Sequence, residues 1–150
     1  MDLQKKALKV LDSFKWVSPL LTRLSLGMLF MGTGWGKLHH IEKVVDFFTR
    51  LQIPAPEFHA RLVGISEFGC GLLLVLGFLT RFATLPLVIT MVVALITAKK
   101  EDINELYDLF GLSEYLYILL FVWLGLYGPG KVSLDALVAQ ALTDRKEKRT

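Results

Sequence analysis

The stretch LLTRLSLGMLFMGTGWGKL, residues 20–38, decides the fold. It is apolar almost throughout, yet it keeps Arg23 near one end and Lys37 near the other. An α-helix rises 1.5 Å per residue, so about 20 residues cross the ~30 Å hydrocarbon layer of a bilayer. The stretch has that length. Arg23, Gly27, Phe30, Gly34 and Lys37 follow at steps of three and four and therefore share one helical stripe. Gly32 and Gly36 add a GxxxG pair on an adjacent face. Glycines let a second helix come close, and in lipid such packing takes the place of water exclusion.

Three more apolar runs follow, so the expected spans are 18–38, 59–79, 82–98 and 109–128. The third is short, and Lys99 and Lys100 extend it by snorkelling. Four such runs in 150 residues leave too little polar surface for a soluble core, and 53% of the chain is hydrophobic. Mean hydropathy is +0.51. The predicted fold is all-α: one domain over residues 1–150, an integral membrane four-helix bundle.

Amphipathic segments surround the spans. Residues 2–16 place Leu3, Leu8, Leu11 and Phe14 at helical spacing among lysines, which suits a membrane surface or a solvated basic tail. Residues 41–52 carry an apolar face of Ile41, Val44, Val45, Phe48 and Leu51 and predict an interfacial helix between the first two spans, ended by Pro54 and Pro56. Thr80-Arg81 reads as a tight turn between antiparallel second and third spans. GPGK at 128–131 stops the fourth span, and Ser133 caps a last amphipathic segment over 133–142, followed by the charged TDRKEKRT.

The net charge is +3, and the isoelectric point is about 9.0. The cations flank apolar runs, so they read as membrane anchors rather than as a nucleic-acid surface. Lys5, Lys6, Lys9, Lys15, Arg81, Lys131, Arg145, Lys146, Lys148 and Arg149 fall on the side of both termini. They outnumber Lys37, Lys43, Arg50, Arg61, Lys99 and Lys100 on the other side, which places both termini in the cytoplasm. The first run starts late and lacks a small-residue cleavage site, so it reads as a span rather than a leader. The single cysteine, Cys70, excludes an internal disulfide and reads as a packing residue.

A charge near the bilayer centre costs roughly 2.5–3.5 kcal/mol on insertion scales, so it needs a partner or a wet cavity. On the second span Gly64, Glu67 and Gly71 share a stripe, which turns the acid toward neighbouring helices. Glu67 lies about 10–12 Å along that span from the level of Lys37. Side chains lean toward their own helix N-terminus, which brings this pair together. Glu114 enters the fourth span from the same side. Arg23 sits deeper, with Tyr127 and Thr84 as acceptors near its level. The cluster is either a polar pocket between the first, second and fourth spans or a set of pairs that fix helix register. Trp35, Trp123, Tyr115 and Tyr117 could line such a pocket or belong to the interfacial belt. His39, His40 and His59 form no metal or haem motif, and the chain has no flavin, iron–sulfur or nucleotide signature.

The chain resembles the DoxX family of small bacterial membrane proteins. The resemblance is carried by LLTRLSLGMLFMGTGWGKL, by FFTRLQIPAPEFHARLVGISEFGCGLLLVLGFLTR and by GPGKVSLDAL. It implies a multi-pass inner-membrane protein with polar positions at Arg23, Lys37, Glu67 and Glu114. It also implies quinone-dependent oxidation alongside a partner redox protein. Many members carry a histidine where Thr33-Gly34 stands here, and some carry one near Ala98-Lys99. The expected function is a quinone- or small-lipophile-binding subunit of a membrane redox system. Lys37, Glu67 and Trp35 would sit at the headgroup, Glu67 and Glu114 would relay protons, and Arg23 would supply a fixed charge. The lipid bilayer is the first partner, a partner redox protein follows if the redox role holds, and a homo-oligomer is left open. A membrane scaffold or assembly factor, or a small transporter, are the competing readings.

Overall fold

The protein is described by a computed structural model covering residues 2–147. Met1 and the last tail residues, Lys148, Arg149 and Thr150, lie outside the described residues. Among the described residues there are eight α-helices, one 3-10 turn and no strand.

Helix α1 (Asp2–Ser13) leads into α2 (Val17–His39), which accommodates Pro19 in its first turn, where a missing N–H goes unused. His40 breaks the helix and starts α3 (Ile41–Arg50), which buries none of its residues. Helix α4 (Pro56–Leu76) opens on Pro56 at its first position, so it begins before the expected residue 59. It ends at Gly77, whose φ of +68° suits a residue without Cβ, and the Phe78 amide returns to the Leu73 carbonyl at 3.0 Å.

Helix α5 (Thr80–Thr97) starts at once. The reversal is therefore Gly77-Phe78-Leu79, not the expected Thr80-Arg81, because glycine ends α4 earlier and Thr80 is already helical. A 3-10 turn (Lys100–Asp102) and short α6 (Leu106–Gly111) precede α7 (Ser113–Tyr127). The expected single run over 109–128 is thus split. Leu112 is extended between Gly111 and Ser113, and α6 has its own start, where the Asp108 carboxylate accepts the amides of Asn104 and Glu105 at 3.0 Å each. After Gly128–Gly130 comes α8 (Leu134–Glu147), whose first turn is capped by the Ser133 hydroxyl accepting the Ala136 amide at 3.1 Å.

Helix α2 packs along α4 and α5 along α7, while α4 touches α5 and α2 touches α7. The α2–α4 seam is made of glycine. A Cβ on Gly71 would fall 2.5 Å from the Met31 backbone nitrogen, so only glycine fits that approach. The predicted Gly32–Gly36 pair differs. Neither glycine has a neighbour within 4 Å of the Cβ position, so the seam follows the Gly27–Gly34 stripe instead. Leu26, Phe30, Leu74, Leu87, Phe121 and Leu124 form the buried core.

The outer faces remain apolar. Ile65, Phe82, Ile89 and Leu126 are 61%, 70%, 64% and 77% exposed. Such continuous exposure marks a surface built for lipid or for a partner. Helices α4 and α5 are long and apolar enough to cross a membrane by length and composition. Helix α7 is apolar but spans 15 residues, and α2 is long but interrupted by its polar stripe.

Candidate functional site

Glu67 is carried inward by the small-residue stripe of α4, and its side chain is 1% exposed. The ammonium of Lys37 reaches it from α2, with Nζ 2.5 Å from Oε1 and 2.6 Å from Oε2. The Thr33 hydroxyl, one turn earlier on α2, lies 3.1 Å from Oε2 and 3.1 Å from the Phe30 carbonyl. It shares its one proton between them. The carboxylate thus has a charged and a neutral donor from the same helix, which compensates its burial. The Lys37–Glu67 pair follows the predicted lean of the two side chains. Thr33 was read only as the occupant of a family histidine position. Its signal was its spacing of four from Lys37.

The ion pair stands on the wall of a cavity of about 950 Å³. The cavity is the wedge between the first half of α4 and the second half of α5, with α2 behind it and α3 as its roof. Its walls are mostly apolar: Val63 from α4, Leu85, Ile89 and Met91 from α5, and Phe47 and Phe48 from α3. Ser66 sits beside Glu67 on the same wall. His40, Lys43 and His59 line the cavity where α3 joins its neighbours. The Nδ1 of His59 is 2.7 Å from the Pro54 carbonyl, which can only accept, so that nitrogen carries the proton. The hydroxyls of Thr90 and Thr97 bond back to the Pro86 and Val93 carbonyls.

The expected location between the first, second and fourth spans is therefore replaced by one between α2, α3, α4 and α5. The physical reason is that α4 and α5 meet tightly at the Gly77 turn and open toward their other ends, leaving a wedge that α3 covers. Glu114 is not on the cavity wall. It sits half-buried in the first turn of α7, its field reaches Lys99, and its Oε2 has no partner. Trp35 points away from the cavity, 54% exposed, and packs on His39 and Phe68 at ring distances of 4.0 and 5.6 Å.

Arg23 is 3% exposed and also apart from the cavity. Its guanidinium donates to the Pro129 carbonyl at 3.0 Å and the Val132 carbonyl at 2.8 Å. Neither Tyr127 nor Thr84 takes it, because the loop before α8 folds over the α4–α5 turn and supplies backbone acceptors closer at hand. Asp135 completes that fold-over. Its carboxylate accepts the Leu79 amide at 2.8 Å and the Thr80 amide at 3.1 Å, capping α5 from α8. Asp135 was missed because Ser133-Leu134-Asp135 reads as an ordinary local helix start.

The profile of the family described as DoxX matches residues 18–100, a stretch that contains every cavity-lining residue. The chain is 33% identical over 137 residues to a protein named "uncharacterized membrane protein" from Mycobacterium tuberculosis, covering 84% of each. It is 32% identical over 128 residues to the inner membrane protein YqjF of Escherichia coli, covering 81% of this chain and 92% of that one. It is 28% identical over 124 residues to the "Putative oxidoreductase CatD" of Bacillus subtilis, covering 81% of this chain and 87% of that one. No solved structure matches the chain significantly.

Proposed function

The chain belongs to the DoxX family of membrane proteins, and from that premise we propose that it binds a small lipophile with a hydrogen-bond-accepting head, a quinone by chemistry. It would do so as a subunit of a membrane redox system. One observation carries the proposal: the Lys37–Glu67–Thr33 cluster on the wall of a large apolar cavity. The polar atoms free to meet a ligand there are mainly donors. They are the third N–H of Lys37 and the Ser66 hydroxyl beside the ion pair, with the Nε2 of His59 as an acceptor farther up. A quinone carbonyl only accepts, and its ring and tail are apolar, so head and walls match in kind. The relative that carries an oxidoreductase name supports a redox setting.

In this reading α2, α4, α5 and α7 form a four-helix bundle across the bacterial inner membrane, α3 lies at the outer interface, and both termini are cytoplasmic. A quinone supplies a carrier of electrons and protons, and a partner redox protein supplies the electrons. Lys37 orients the carbonyl and Glu67 holds the proton balance of the pair. Glu114 and Arg23 stand off the cavity, so neither contacts the head.

The test is titration of the purified protein with a short-chain benzoquinone in lipid nanodiscs. Saturable binding is expected, weakened about 10- to 100-fold in Lys37→Met, as the loss of a charge-assisted hydrogen bond implies. Ile89→Trp, which fills the cavity, should abolish it. Absence of saturable binding, or equal affinity in Lys37→Met, sinks the proposal. The result would then favour the scaffold reading, which the carbonyl clasp around Arg23 supports.

A further inference from the structure

The roof of the cavity carries charges that a neutral lipophile does not use. His40 and Lys43 line the mouth, and neither side chain has a hydrogen-bond or ion-pair partner among the described residues. Glu67 is the one acid on the cavity wall, and Lys37 already neutralises it. The acids of α3, Glu42 and Asp46, are exposed and off the wall, as is Glu57 at the start of α4. The mouth therefore has a net positive character at the depth where an interfacial helix meets headgroups.

The opposite end of the cavity is apolar and open. Helix α3 packs on α4 and α2 and makes at most marginal contact with α5. Between them, Leu85 and Ile89 both line the cavity and are 59% and 64% exposed. The apolar wall is thus continuous with the outer face of α5 through the gap beside α3.

A cationic mouth above an apolar slot that opens sideways also fits a second kind of occupant, one that carries an anionic head. We propose that an anionic phospholipid of the surrounding bilayer places one acyl chain between α3 and α5 and seats its phosphate against Lys43 and His40. The chain lies along Leu85 and Ile89 and reaches Val63 and Met91. A zwitterionic lipid brings its own cation to the mouth and is disfavoured there. The placement of α3 at the interface is taken from the proposed function; the mutual exclusion of this lipid and the quinone rests in addition on its ligand.

The experiment uses the full chain in nanodiscs containing phosphatidylglycerol or phosphatidylcholine with a diazirine in the acyl chain, with labelled residues mapped by mass spectrometry. Phosphatidylglycerol should label Val63, Met91 and Ala94 severalfold more than phosphatidylcholine does. Lys43→Glu combined with His40→Gln should bring the two lipids to parity at those residues. The inference is overturned if labelling is confined to the outer-face residues Phe82 and Leu126, or if both lipids label the cavity equally in the unmodified chain. Intact phosphatidylglycerol labelling together with no quinone binding in phosphatidylcholine nanodiscs, where no anionic lipid competes, would overturn the proposed function alone. Quinone binding without cavity labelling would overturn this inference alone.

Discussion

Lys37 and Glu67 show how far single residues can be read. Both lie on stripes of small residues, so their faces and mutual lean follow from helical geometry. What the sequence does not carry is the backbone. Arg23 is held at its two terminal nitrogens by loop carbonyls while its buried Nε has no partner, and every residue type offers a carbonyl, so no letter in the sequence marks them. The buried pair makes a sharp prediction. Lys37→Met strands a carboxylate that is 1% exposed and should lower stability by about 3–5 kcal/mol, the usual cost of breaking a buried pair. Lys37→Met with Glu67→Met removes both charges and should recover most of that loss. Thermal unfolding of the four members of the cycle in one detergent measures it, and equal losses in the single and double variants would contradict the account.

Among the helices, the long ones are legible because their apolar runs exceed what a soluble core requires, and their observed bounds lie close to the expected ones. The errors cluster where local chemistry overrides hydropathy. Gly111 and Ser113 split a run that looks continuous, and the GxxxG pair at Gly32 and Gly36 looks like a seam but faces open space. That contrast predicts opposite signs. Gly71→Ala forces α2 and α4 apart and should destabilise by about 1–3 kcal/mol or more. Gly32→Ala meets nothing and should stabilise by up to about 1 kcal/mol through helix propensity. Chemical denaturation of the two variants decides between them.

The start of α6 makes a pH prediction. Two backbone amides hold the Asp108 carboxyl below its ordinary value of 3.8. A depressed acid stabilises the fold above the unfolded value and loses that contribution as pH falls through the folded value. The amides of Asn104 and Glu105 should therefore keep their exchange protection down through pH 4 and lose it only below that. Asp108→Asn should remove this acid dependence.

At the scale of the whole molecule, the fold is joined by a C-terminal return that crosses helix boundaries. The loop before α8 receives Arg23 from α2, and Asp135 caps α5 from a distance of more than fifty residues in sequence. Long-range capping of this kind is invisible to local motifs, as is a cavity formed only by the divergence of two helices. Asp135→Ala should cost about 1–2 kcal/mol, in the range of a lost N-cap. It should also speed amide exchange at Leu79 and Thr80, while Leu134→Ala, next to it, should leave those amides unchanged.

The carbonyl clasp has one more consequence, for permeation. Neutral dipoles hold the Arg23 guanidinium, and Asp135, the acid whose field reaches it, is engaged by the α5 amides. If α2 crosses the bilayer as proposed, this cation stands fixed in the packed core, with no carboxylate bonded to it. A proton or metal ion following the helix seams from the cavity would meet electrostatic repulsion there, much as a fixed arginine bars cations from a water pore.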